Sequence, residues 1–106
     1  MSPSIVEVTG ELDLSTVAQW EEDVKAVGRG SSTVVVDLSG VGFVDSAGVR
    51  SLFHLVRAAR EEGKRLAFVA PPQGPVRRLL EILRLEALTP VCDSQAEAVR
   101  KCQRPA

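Results

Sequence analysis

Val34-Val35-Val36-Asp37-Leu38-Ser39-Gly40-Val41-Gly42-Phe43-Val44-Asp45-Ser46-Ala47-Gly48-Val49 passes through three local patterns in one short stretch. The β-branched run Thr33 to Leu38 suits a central strand covered on both faces. Gly40 and Gly42 then punctuate the chain as a loop. From Ala47 to Glu62 the period becomes helical, with Val49, Leu52, Phe53 and Val56 on an inner stripe and Arg50, His54, Arg57 and Glu61 on the outer face. Asp45 and Ser46 therefore sit at a helix N-terminus, whose partial positive charge favours added negative charge. A phosphate on Ser46 would place about −1.5 to −2 charges there. Either residue also serves as an ordinary N-cap, which explains it without a regulator. The two readings are compatible, because a capping hydroxyl can still be phosphorylated.

The same alternation extends outward. Ile5 to Thr9 reads as a strand, and Leu14, Val17, Trp20, Glu21, Val24 and Val27 share one face of a helix over residues 15–27. Asp13 or Ser15 is its natural cap, and Gly28 and Gly30 end it. After Gly63, Leu66 to Ala70 is a strand closed by Pro71-Pro72. Pro75 opens a third helix with Val76, Leu79, Leu80 and Leu83 inward. Ala87 to Val91 reads as a last strand, and Ser94 and Glu97 have capping-box spacing for a final helix. The order β-α-β-α-β-α-β-α predicts one α/β domain over residues 1–106, its core at about 5–100, its sheet four-stranded and parallel or mixed, and its tail frayed after Lys101.

Composition bounds the function. The chain has 106 residues, 44% hydrophobic and 25% charged, with a formal net charge of −1. No global basic field exists to hold nucleic acid or an anionic membrane. Trp20, Phe43, Phe53 and Phe68 are the whole aromatic set, too few for a base-stacking platform. No apolar run approaches the roughly 20 residues of a membrane span, and no signal-peptide pattern is visible, so a cytoplasmic location is expected. Cys92 and Cys102 lack the further ligands of a zinc site and read as reduced thiols.

Catalytic patterns are absent at useful spacing. His54 falls on the polar face of its helix. Ser46 lacks a GxSxG elbow. Gly63-Lys64 lacks the preceding phosphate loop, and Gly40-Val41-Gly42 lacks the third glycine of a dinucleotide fingerprint. A protein without enzymatic chemistry, metal or cofactor of its own is expected.

Across residues 5–100 the chain resembles a known family. Thr9-Gly10-Glu11-Leu12-Asp13, Val35-Val36-Asp37-Leu38-Ser39 and Phe43-Val44-Asp45-Ser46-Ala47-Gly48-Val49 are similar to successive signatures of STAS domains, in particular bacterial anti-sigma factor antagonists. Glu62-Gly63-Lys64-Arg65-Leu66, the Val76 to Leu83 helix, and Leu85-Glu86-Ala87-Leu88 before Asp93-Ser94 fit the same order. The resemblance implies partner switching in transcription regulation. The unphosphorylated antagonist binds an anti-sigma factor, a GHKL-type serine kinase, and frees its sigma factor. The kinase, carrying ATP and Mg²⁺, phosphorylates the serine matching Ser46, and a PP2C-type phosphatase reverses this. The implied partner surface comprises Asp13, Gly40, Gly42, Asp45, Ser46, Ala47, Gly48 and Arg50, on a monomer or weak dimer.

Three departures from the family pattern stand out. Only one strand precedes the first helix, so a leading edge strand is missing or improvised from Ser2 to Ser4. Arg84 occupies a position where a helix-ending glycine is common, and Ala47 replaces a frequent second serine. STAS chains of this size also serve as non-catalytic subunits of ABC-type lipid transport complexes, and that is the alternative function. A stressosome-type scaffold has no distinctive feature here. Gene neighbourhood separates the first two: an adjacent anti-sigma kinase gene favours switching, and permease and ATPase genes favour transport.

Overall fold

The computed structural model describes residues 3–103. Its elements are β1 (Ser4–Leu12), α1 (Val17–Gly28), β2 (Thr33–Val44), α2 (Ser46–Glu61), β3 (Arg65–Val69), α3 (Pro75–Ile82), a 3₁₀ turn (Leu85–Ala87), β4 (Val91–Cys92) and α4 (Gln95–Gln103). The strands form one sheet in the order β1-β2-β3-β4, with every neighbouring pair parallel. The expected α/β alternation holds, with a wholly parallel sheet.

The β-branched run explains the layering. Val34, Val36 and Leu38 point to one face of the sheet, where they meet Trp20 and Val24 of α1, Leu52, Leu55 and Val56 of α2, and Val76 and Leu80 of α3. Val35 points to the other face and packs with Ala67, Val69, Ala98 and Cys102 beneath α4. A strand covered on both sides has no need of polar alternation. Asp37 is the exception. Burial pushes its carboxyl pKa up, but hydrogen bonds from the Ser39 hydroxyl (2.5 Å), the Gln95 amide (2.6 Å) and the Ser39 N–H (2.9 Å) outweigh that and hold it below the ordinary value.

Several boundaries differ from the sequence expectation. Gly40 and Gly42 lie within β2, because β1 continues to Leu12 and pairs with this segment, Thr9 against Gly40 and Leu12 against Val44. A Cβ on Gly40 would stand 2.8 Å from Thr9 Cγ2, so a close approach of strands selects that glycine. α1 starts at Val17 after Thr16, and neither Asp13 nor Ser15 caps it with a side chain. Thr16 Oγ1 instead donates to the Glu11 carbonyl at 2.8 Å. Leu14 and Val27, placed on the buried stripe by periodicity, are 79% and 43% exposed, while Leu55 is buried.

Residues 87–90 are not strand. Arg84 adopts φ 55°, ψ 39°, the left-handed conformation normally left to glycine, and turns the chain into the 3₁₀ segment. β4 is consequently only Val91–Cys92. α2 ends in a Schellman arrangement, with Gly63 at φ 68° and N–H bonds from Gly63 to Arg60 and from Lys64 to Ala59. In α4, Ser94 Oγ accepts from the Glu97 N–H, and Glu97 accepts from the Asp93 N–H, one residue before the capping serine. α4 continues past Lys101, where fraying was expected. Cys102 is helical and buried, and residues 104–106 lie outside the described residues. Among the described residues no strand precedes β1, and Ser4 belongs to β1 itself. Ser2, also considered for a leading edge, lies outside the described residues.

Candidate functional site

The parallel pairing of β1 with β2 brings Asp13 and Ser46 to the same end of the sheet. Leu12 and Val44 are register partners, so both chains leave the sheet side by side. The Asp45 N–H donates to the Leu12 carbonyl at 3.0 Å, and the Leu14 N–H donates to Asp45 Oδ2 at 3.3 Å. Asp45 Oδ1 accepts from the Gly48 N–H at 2.9 Å, which makes Asp45 the N-cap of α2.

This resolves the capping alternatives in favour of Asp45. Ser46 is the first residue of α2 and is exposed, and among the described residues nothing hydrogen-bonds its Oγ. The hydroxyl is therefore spare at the positive end of a helix of 16 residues. Arg50 is exposed one turn on, at the i+4 spacing that lets side chains meet.

Gly48 is fixed by packing. A Cβ there would overlap the Leu12 carbonyl oxygen and lie 2.7 Å from Val44 Cγ1, so only glycine lets the first turn of α2 settle on the β1 end. Gly42 has no atom within 4 Å of a built Cβ and carries no such demand. Ala47 is half-buried beside Ser46.

Asp13 is held in an Asx turn. Its Oδ1 accepts from the Ser15 hydroxyl at 2.6 Å and the Ser15 N–H at 2.9 Å, and these bonds hold its carboxyl pKa below the ordinary value. The site thus presents two fixed acidic groups, Asp13 and Asp45, around one unengaged hydroxyl. Gly40 and Gly42 form the strand leading into it, not a separate loop.

Two features were missed by sequence reasoning. Leu14 and Phe43, 79% and 55% exposed, flank this end of the sheet with apolar surface. Their position comes from the continued β1–β2 pairing, which no local pattern announces. His54 is paired: its Nδ1 lies 3.0 Å from Glu21 Oε1, while the Ser51 hydroxyl donates to Glu21 Oε2. The imidazole is exposed on the polar face of α2 as expected and in addition clamps α1 to α2. Beside the clamp lies an open groove of about 650 Å³ lined by Leu14, Arg50, Phe53, Arg57 and Leu88. Among the described residues, no group of three or more His, Cys, Asp or Glu is placed to hold a metal ion. No helix among them is long and apolar enough to cross a membrane.

Comparison with known proteins identifies the family. The family described as "Mlab, STAS domain" matches residues 2–90. The chain is 27% identical over 101 residues to the anti-sigma F factor antagonist of Paenibacillus polymyxa, spanning 93% of this chain and 86% of that protein. It is 33% identical over 69 residues to osmosensory protein A of Mycobacterium tuberculosis, spanning 65% of this chain and 44% of that protein. A solved anti-sigma factor antagonist from Mycobacterium paratuberculosis superposes with a TM-score of 0.80 at 26% identity, covering 97% of this chain and 87% of the other. The chain belongs to the STAS domain family.

Proposed function

We propose that this protein is an anti-sigma factor antagonist whose partner binding is switched off by phosphorylation of Ser46. Support comes from the antagonists of Paenibacillus polymyxa and Mycobacterium paratuberculosis and from one observation: Ser46 is exposed at the start of α2 with its Oγ unengaged, the cap being supplied by Asp45. Modification of Ser46 touches no capping bond, because Asp45 Oδ1 accepts from the Gly48 N–H. Here the fold keeps its cap, so phosphate is added without dismantling the domain.

In the unmodified state, Asp13, Asp45, Ser46, Ala47, Gly48 and Arg50, together with the β2 end at Gly40 and Gly42, form the surface that meets an anti-sigma factor of GHKL serine-kinase type and makes it release its sigma factor. The kinase transfers the γ-phosphoryl group of its own ATP, held with Mg²⁺, to Ser46 Oγ, and ADP departs. The open N–H groups of the first turn and Arg50 receive the new charge within the domain. At the interface the same charge adds desolvation cost and repulsion, so the complex separates. A PP2C-type phosphatase hydrolyses the phosphoserine and restores binding. On this reading the chain is the substrate of another protein's active site and acts in the cytoplasm.

The test is incubation of the chain with its cognate kinase and ATP, followed by intact-mass analysis. One added phosphoryl group is expected, absent in Ser46→Ala. Persistent lack of modification, or modification that survives in Ser46→Ala, rules the switch out. Co-purification with a transport ATPase in place of a kinase would favour the lipid-transport alternative.

A further inference from the structure

The open side of β1 forms a second candidate surface, independent of Ser46. β1 hydrogen-bonds to β2, and among the described residues no strand pairs with its other edge. An edge strand presents N–H and C=O groups ready to pair with another chain. Beside it runs a cleft of about 490 Å³ between β1 and α1, touching every residue from Val6 to Leu12 and, on the helix, Trp20 and Asp23. A cleft over one face of a strand would meet only alternate residues, so this one tracks the edge itself. Val6, Val8, Leu12 and Trp20 give it an apolar floor. Its charged residues, Glu7, Glu11 and Asp23, are all acidic, and residues 3–24 contain no Lys or Arg. Among the described residues, Trp20 Nε1 is buried without a hydrogen-bond partner, in a side chain that lines the cleft.

We propose that this edge receives an extended, Lys- or Arg-bearing segment of a partner protein, added as a further strand beside β1. Main-chain bonds supply the pairing, alternate apolar side chains meet the floor, and the cations meet Glu11 and Asp23, the Glu7 carboxylate being held by the Gln95 amide on the α4 face. Charge argues against a second copy of this chain, since antiparallel β1 edges would bring their glutamates together. The pairing centres on residues 4–8. The β1–β2 register shifts between Glu7 and Thr9 and again between Gly10 and Glu11, and Gly10 turns to φ 87°, so regular strand pairing ends there.

Trp20 is the only tryptophan, so its indole reports directly on the cleft. The probe is an acetylated, amidated peptide alternating Lys with Val and Thr, titrated into the ¹⁵N-labelled chain. Saturable shifts of the β1 amides and of the Trp20 indole N–H are expected, with slowed hydrogen exchange over residues 4–8. Binding should weaken several-fold in a folded Glu11→Lys/Asp23→Lys variant and stay unchanged in Ser46→Ala, which separates this site from the switch. A peptide with Glu in place of Lys should not bind. The absence of saturable shifts with the Lys peptide would overturn the proposal. So would equal binding by an N-methylated copy that cannot pair as a strand, or a dimer of the free chain that protects the β1 amides.

Discussion

Replacing Gly48 with alanine tests how the site is assembled. In an exposed helical position the change would stabilise, since alanine is favoured over glycine by about 1 kcal/mol in a helix interior. At Gly48 the new methyl would overlap the Leu12 carbonyl oxygen and stand 2.7 Å from Val44 Cγ1, against ordinary contact beginning at 3.4 Å. A backbone oxygen in a paired strand cannot swing aside, so the first turn of α2 must retreat by about 1 Å. That strains the Asp45 N–H bond to Leu12 O and the Leu14 N–H bond to Asp45, which join the two halves of the site. Overpacking of this kind costs about 1–3 kcal/mol, and a weakened cap adds about 1 kcal/mol. Against the helix gain, a net loss of about 2 kcal/mol remains, equivalent to a fall in melting temperature of about 10 °C in a domain of this size. Urea unfolding followed by Trp20 fluorescence measures it, with Gly42→Ala as the control. Gly42 has open space around it, so that change should stay within about 0.5 kcal/mol of the parent. A neutral or stabilising Gly48→Ala would refute the claim that a close helix–strand approach fixes this residue.

Arg84→Gly should raise stability by about 0.5–1 kcal/mol in the same unfolding assay, by removing a side chain from the left-handed conformation at φ 55°; a lower denaturation midpoint would contradict this. Asp37 has a folded pKa below its unfolded value, so its contribution is fully present above about pH 4 and is lost as pH falls through the lower folded pKa. Asp37→Asn should therefore flatten the dependence of melting temperature on pH in that acid range, and an unchanged slope would be inconsistent with these hydrogen bonds as the cause. Burial, with Glu97 nearby, pushes the Cys92 thiol up to about 11, and burial also raises Cys102. Iodoacetamide at pH 8 should thus alkylate both slowly in the native chain and fast in urea, as mass spectrometry would show; rapid native labelling would disagree.

The sequence made the layering legible because Val34 to Leu38 and Leu66 to Ala70 are apolar almost without a break, Asp37 excepted, and such runs are buried on both faces. The family resemblance, not local pattern, put Asp13 near the surface of Asp45 and Ser46. What escaped the sequence was set by contacts between distant residues. Gly40 and Gly42 look like loop glycines, yet pairing with Thr9 to Leu12 holds them in β2. Leu14 continues the periodicity of α1 but belongs to the turn, where Asp45 holds its N–H, and so its side chain faces solvent. Ala87 to Val91 has strand composition, but the left-handed Arg84 diverts the chain into a 3₁₀ turn first. His54 found its partner on another helix, 33 residues away. For Gly40, Gly42 and Leu14 a tertiary contact outweighed a local preference worth less than about 1 kcal/mol.

The most direct test of the switch is calorimetric titration of the purified anti-sigma kinase with two forms of this chain, unmodified and stoichiometrically phosphorylated on Ser46. Circular dichroism should give matching spectra for both, because Asp45 and not Ser46 caps α2. The unmodified chain should bind and the phosphorylated chain should not, at the same protein concentrations. Equal affinity of the two folded forms would contradict the account.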